Sequence, residues 1–169
     1  MTQLIFNHGP FPAMNIPRIR KVLTLAAAAL AVCAGLRAAE AASLPPPVRG
    51  VFQHYLAIQA DLAGDAFAPV PAEAAALAKS VRSAGATLVS QDIAAQADVL
   101  AKASDLASAR AAFKPLSASL IRTLAALHEK GAYVQVYCPM KRASWLQKGR
   151  TVNNPYLGKE MPSCGIVRN

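Results

Sequence analysis

Alanine all but stops at Gly131. Residues 42–130 contain 25 alanines and residues 131–169 contain two, yet the shorter stretch holds two of the three Cys, the single Trp and three of the four Tyr. A chain with 37 Ala but only five Phe, four Tyr and one Trp builds its core from close backbone approach more than from large side chains. Helices suit that composition, because alanine gives up no side-chain entropy in them. The tail, rich in aromatic and β-branched residues, cannot continue in the same way. The expected fold class is therefore mainly α, a bundle of about four helices over 42–130 followed by a small C-terminal β/loop module over 131–169. At 39 residues the module is too short for a core of its own, so Trp145 and Tyr156 are expected to pack back onto the helices. A charged share of 16% beside a hydrophobic share of 54% argues against intrinsic disorder, and the lack of a matching period excludes coiled coil and collagen.

The first 41 residues read differently. Arg18, Arg20 and Lys21 precede an uncharged run from Val22 to Leu36, and Ala39-Glu40-Ala41 then offers small residues at the two positions a signal peptidase reads. These are the three parts of a secretory signal, with Met1 or Met14 as its start. As a helix the uncharged run spans roughly 22 Å, short of a hydrocarbon core of about 30 Å, so no stable membrane span is expected in the mature form. Val32 before Cys33 is not the small residue that lipoprotein processing favours. Residues 1–41 are thus read as a cleavable signal peptide and 42–169 as one exported, periplasmic domain. The formal net charge of +9 falls to +6 when four bases and one acid leave with the signal. Export makes nucleic acid an unsuitable partner for that charge. The helical part carries eight bases and seven acids, the module six bases and one acid.

Apolar spacing places the elements. Pro45-Pro46-Pro47 reads as an extended lead-in, and Val48, Val51, Phe52, Tyr55, Leu56, Gln59 and Leu62 as the mostly apolar face of a first helix. A second helix is expected from Pro71 or Ala72 to about Val89, a third short one capped by Ser90 and running to Leu100, and a fourth capped by Ser104. The fourth presents Leu106, Ala109, Phe113, Leu116, Leu120, Leu124 and Leu127, with Pro115 as a kink or new start and Gly131 as terminator. Tyr133–Tyr137, Ser144–Gln147 and Cys164–Val167 read as short strands, with a turn at Asn153–Gly158.

The soft donors are concentrated in the module. Cys138 and Met140 are two apart, and Met161 and Cys164 three apart. If the module closes like a hairpin, thiolates and thioethers converge, a donor set suited to Cu(I) and unsuited to Mg, Ca or Mn. An exported pair of cysteines is also read as a Cys138–Cys164 disulfide, with Met140 and Met161 filling apolar gaps. His54 and His128 admit a Cys₂His₂ zinc site, although the spacing is not that of a zinc finger, and His128 near a helix C-terminus already has a structural explanation. Lys141 and Arg142 are expected to lower nearby thiol pKa values, favouring thiolate. No C-x-x-C, C-x-x-C-H, Gly-rich phosphate loop or H-E-x-x-H is present, so no enzyme is expected.

Cys138-Pro139-Met140, Ala143-Ser144-Trp145-Leu146, Asn154-Pro155-Tyr156-Leu157-Gly158, Met161 and Cys164-Gly165 resemble, in order, the CPM, GA-W-L, NPYFG, M and CG signature of an uncharacterised exported domain family. That domain occurs alone and at the C-terminus of periplasmic adaptor proteins of copper/silver efflux pumps. His54-Tyr55-Leu56 with Leu62 resembles its opening helix, and Arg110 to Ser117 its R-x-x-F-x-P-L-S stretch. Lys141-Arg142 departs from it, since the family often has a longer, less basic segment with a glycine before Ala-x-Trp. The resemblance implies a periplasmic soft-metal protein, binding Cu(I) through Cys138, Met140, Met161 and Cys164 in metal tolerance or delivery, beside a metal efflux or envelope partner. The alternative is a non-enzymatic envelope interaction module stapled by the Cys138–Cys164 disulfide.

Overall fold

The computed structural model describes residues 44–129 and 131–168; the signal peptide and cleavage site read at 1–41 lie outside the described residues. Four helices follow one another, α1 Pro46–Ala63, α2 Val70–Ala84, α3 Asp92–Ala101 and α4 Leu106–Ala126. Their apolar faces are those the spacing predicts, but several ends move. Pro46 and Pro47, expected in an extended lead-in, form the first turn of α1, where a missing N–H has no helical partner to lose. α2 stops at Ala84 rather than near Val89, because Gly85 turns to φ +81°. The cap of α4 is Asp105, one residue beyond the expected Ser104. Its carboxylate accepts the Ser108 N–H at 2.7 Å while the Ser108 hydroxyl accepts the Asp105 N–H at 3.2 Å, a reciprocal capping box. Ser90 does meet the Asp92 N–H with its hydroxyl, at 3.4 Å, although Gln91 holds the position before α3. α4 ends at Ala126, and the chain turns away at His128, φ +54°, ahead of Gly131. It runs through Pro115 as one helix; Ala111, whose carbonyl loses its partner there, is exposed along with Pro115, so water can serve that oxygen.

Helices adjacent in sequence pack on each other, and α1 and α4 both reach the sheet. Ala74, Ala78, Ala97 and Ala109 are fully buried between the larger Phe52, Ile58, Leu77, Leu100, Phe113 and Leu120, the close approach that the composition implies. The sheet has three antiparallel strands, β1 Val134–Cys138, β2 Ala143–Gln147 and β3 Ile166–Arg168, in the order β2-β1-β3. Val136 pairs with Trp145 on one side and Val167 on the other. The turn between β1 and β2 closes through the Arg142 N–H to the Pro139 carbonyl at 3.3 Å. Arg142 stands where the resembled signature has glycine, and it adopts the left-handed φ of +47° itself.

Side chains of α1 and α4 finish the outer edge of β2. The Leu146 N–H donates to the Tyr55 hydroxyl at 2.9 Å, Tyr55 and Ser117 hydroxyls lie 2.7 Å apart, and Ser117 donates to the Ser144 carbonyl at 3.0 Å. Because that carbonyl can only accept, Ser117 spends its proton on it and Tyr55 must donate to Ser117. Tyr156 adds a second donor to the same carbonyl at 2.8 Å. Ring contacts follow the same path: Tyr55 stacks on Phe113 at 5.2 Å, Phe113 meets Tyr156 at 5.9 Å, and Tyr156 meets the buried Trp145 edge-on at 5.9 Å. Trp145 and Tyr156 thus pack on the scaffold as the short module requires.

Candidate functional site at the cysteine pair

β1 ends on Cys138 because Pro139 has no N–H to continue the ladder. Continuing the Tyr137–Ile166 pairing by one residue sets Cys138 opposite Gly165, with Cys164 next. A Cβ at Gly165 would lie 2.7 Å from Val136 Cγ1 and 2.8 Å from Trp145 Cη2, so only glycine lets the chain approach this closely. The two Sγ atoms are 3.6 Å apart and both thiols are free. For sulfurs about 2.3 Å from a shared metal, a 3.6 Å separation subtends about 103°. That angle suits three- or four-coordination and leaves room for further donors.

The two thiols are unequal. Burial pushes the Cys138 thiol up, but hydrogen bonds from the Lys141 backbone, the Asn154 side chain, the Cys164 thiol and the Met140 backbone together hold it below its ordinary value. Burial, followed by its hydrogen bond to Cys138, raises Cys164. Cys138 is therefore the first to become a thiolate, with Cys164 donating to it. Lys141 contributes here through its backbone N–H, not through the ammonium charge expected from sequence, and Arg142 is not among the causes. Met140 lies in the turn after Cys138, and the Met161 carbonyl accepts the Cys164 N–H at 3.2 Å; both thioether chains are exposed.

Asn154 joins the two sides and is the site residue that sequence reasoning missed. It is fully buried. Its Oδ1 accepts the Tyr156 and Leu157 N–H groups at 2.8 and 3.1 Å, and its Nδ2 donates to the Cys164 carbonyl. An Asn-Pro turn that repeats a signature was the available signal, but its chemistry depends on the fold. The same loop is tied to the helices by Arg110, which donates to the Leu62 and Pro155 carbonyls at 2.9 Å each and pairs with Asp65. Gly158, at φ +55°, leaves no space for a Cβ against that ion pair.

The Cys₂His₂ arrangement does not form. His54 Nδ1 pairs with Glu73 at 2.8 Å between α1 and α2, and His128 is an exposed left-handed residue at the end of α4. Among the described residues no three of His, Cys, Asp and Glu gather to hold a metal, which leaves the sulfur pair and its neighbouring thioethers as the candidate donor set.

Fold and site define a mainly α scaffold carrying a small antiparallel module with two cysteines in contact. Within it, residues 51–131 match a family described as Protein of unknown function (DUF3347). The match covers most of the helical scaffold and stops before β1, so the module lies beyond it. No curated protein and no solved structure matches the chain.

Proposed function

We propose that the chain binds one soft metal ion, Cu(I), between Cys138 and Cys164, with Met140 and Met161 completing the shell, and serves periplasmic metal tolerance or delivery beside a metal efflux or envelope protein. The observation that carries this is the 3.6 Å sulfur pair in which one thiol is held toward thiolate by several donors. Thiolate with thioether selects a soft monovalent ion, and the resemblance of the module to a domain of copper/silver efflux adaptors points the same way. Binding and release without chemical change to a substrate is the activity, with no catalytic residue. The second reading, an envelope interaction module, is favoured by the same separation: oxidation closes 3.6 Å to about 2.05 Å and would stabilise the fold by about 3 kcal/mol.

Titration of the reduced protein with Cu(I) against a competing chelator separates the two. The metal reading expects one ion per chain, weakened by at least about 100-fold in Cys138→Ser or Cys164→Ser, since loss of one of two thiolates removes a principal bond. Met140→Leu and Met161→Leu should weaken it less. Equal, weak binding by wild type and a double Cys variant would leave the disulfide-stapled module as the account.

A further inference from the structure

Among the described residues the exposed large hydrophobic side chains are Val99, Met140, Met161 and Ile166. Three of them flank the cysteine pair: Met140 follows Cys138, Met161 precedes Cys164, and Ile166 pairs with Tyr137 beside it. Their exposures of 61, 39 and 56% leave soft and apolar surface open to solvent around the sulfurs, as at contact surfaces.

Charge along this rim is mainly positive. Lys141 and Arg142 follow Met140 in an exposed turn, and Lys114 of α4 reaches the same turn, its ammonium donating to the Lys141 carbonyl at 3.0 Å. Lys159 and Glu160 precede Met161. The other nearby carboxylate, Asp65, is already paired with Arg110 and accepts the Lys159 N–H. Beside the turn lies a groove of about 360 Å³ lined by Arg110, Lys114, Lys141, Glu160, Tyr156 and Leu157. It can admit one or two side chains of a partner, and Lys114 and Lys141, which outnumber Glu160 there, favour carboxylates.

We infer that this rim docks a protein acceptor carrying thiolate or thioether donors within an acidic margin, and that Cu(I) leaves to it by ligand exchange through Cys164. The inference rests on the soft-metal reading above. Cys138 is fully buried whereas Cys164 is partly open, so an incoming sulfur reaches the ion on the Cys164 side. A copper–sulfur bond to the acceptor forms as the bond to Cys164 breaks; Cys164 departs as thiolate and takes a proton from water. Cys138 then exchanges in the same manner. Copper remains Cu(I) throughout and no electron moves. Acceptor carboxylates against Lys114 and Lys141 hold the encounter in register while the bonds change.

The test uses the full chain, reduced and loaded with one Cu(I), and two synthetic peptides sharing a reduced Cys-x-x-Cys core, one flanked by Glu and the other by Lys. At low ionic strength the acidic peptide should accept copper roughly 10-fold faster. The preference should nearly vanish in about 0.5 M salt. It should also shrink to within about 2-fold in Lys141→Glu combined with Arg142→Asn, asparagine tolerating the left-handed turn. Cu(I) affinity of the variant is measured in parallel, so that slower docking is not confused with altered binding. Equal rates for the two peptides at low salt, or a faster basic peptide, in a protein that holds its ion would overturn the docking surface and spare the metal reading. A chain that takes up no Cu(I) would overturn both.

Discussion

Replacing Tyr55 by Phe tests how the module is fastened to the helices. The substitution keeps the ring stacked on Phe113 and removes one oxygen. That oxygen accepts the Leu146 N–H and donates to Ser117, and burial raises the Tyr55 pKa far above its usual value, so the group is a neutral donor and acceptor over the whole working range. Its loss strands a buried backbone N–H, at about 1–3 kcal/mol, and removes a second hydrogen bond of about 1 kcal/mol. The expected cost is about 3 kcal/mol, roughly a fifth to three-fifths of the stability of an ordinary domain. Ser117→Ala should cost about 2 kcal/mol, because the Ser144 carbonyl keeps Tyr156 as a donor while Tyr55 loses its acceptor. The double variant should lose clearly less than the sum, since both changes break one relay. Urea unfolding followed by Trp145 emission reads this directly: at a slope of about 1.5–2 kcal/mol per molar, Tyr55→Phe should lower the midpoint by about 1.5–2 M. A shift below about 0.5 M, or strict additivity in the double variant, would refute the relay.

Gly158→Ala places a methyl group into the Asp65–Arg110 pair at a left-handed φ and should cost at least about 3 kcal/mol, measured by the same unfolding curves; a near-neutral result would mean that the loop does not lie against that pair. The hydrogen bond from Arg110, assisted by the Lys159 N–H, lowers the Asp65 pKa. A depressed carboxylate contributes stability that is present above its unfolded value near pH 4 and lost as pH falls through the lower folded value. Wild type should therefore lose stability more steeply than Asp65→Asn below about pH 4, and parallel acid titrations of the two midpoints would count against the pair.

Periodicity made the helices legible because their faces must be apolar to be buried, and Phe113, Leu116 and Leu120 are where the spacing puts them. Ends were harder. Gly85, His128 and the two N-terminal prolines of α1 act through backbone torsions that compete with propensity by about a kcal/mol, too little to outvote a run of alanines on paper. In the module, Cys138 and Cys164 were legible as a converging pair because strands that return antiparallel bring distant residues together. Asn154 was not, because its amide serves both flanks only once the loop is folded against β3. The same is true of Lys141, which acts through an N–H that every residue type except proline would supply.

α4 has two clients. Phe113 and Ser117 face the module while Leu116 and Leu120 lie fully buried in the shared core, and Tyr55 spans the same divide from α1. The segment matched by the family, 51–131, is therefore not a piece that can be cut out. Severed after Gly131, the helices would leave the rings of Phe52, Tyr55 and Phe113 facing water, each carrying some 150–250 Å² of surface, and the fragment would have reason to stick to itself. Grafting, shuffling or crystallising this architecture calls for scaffold and module to travel as one.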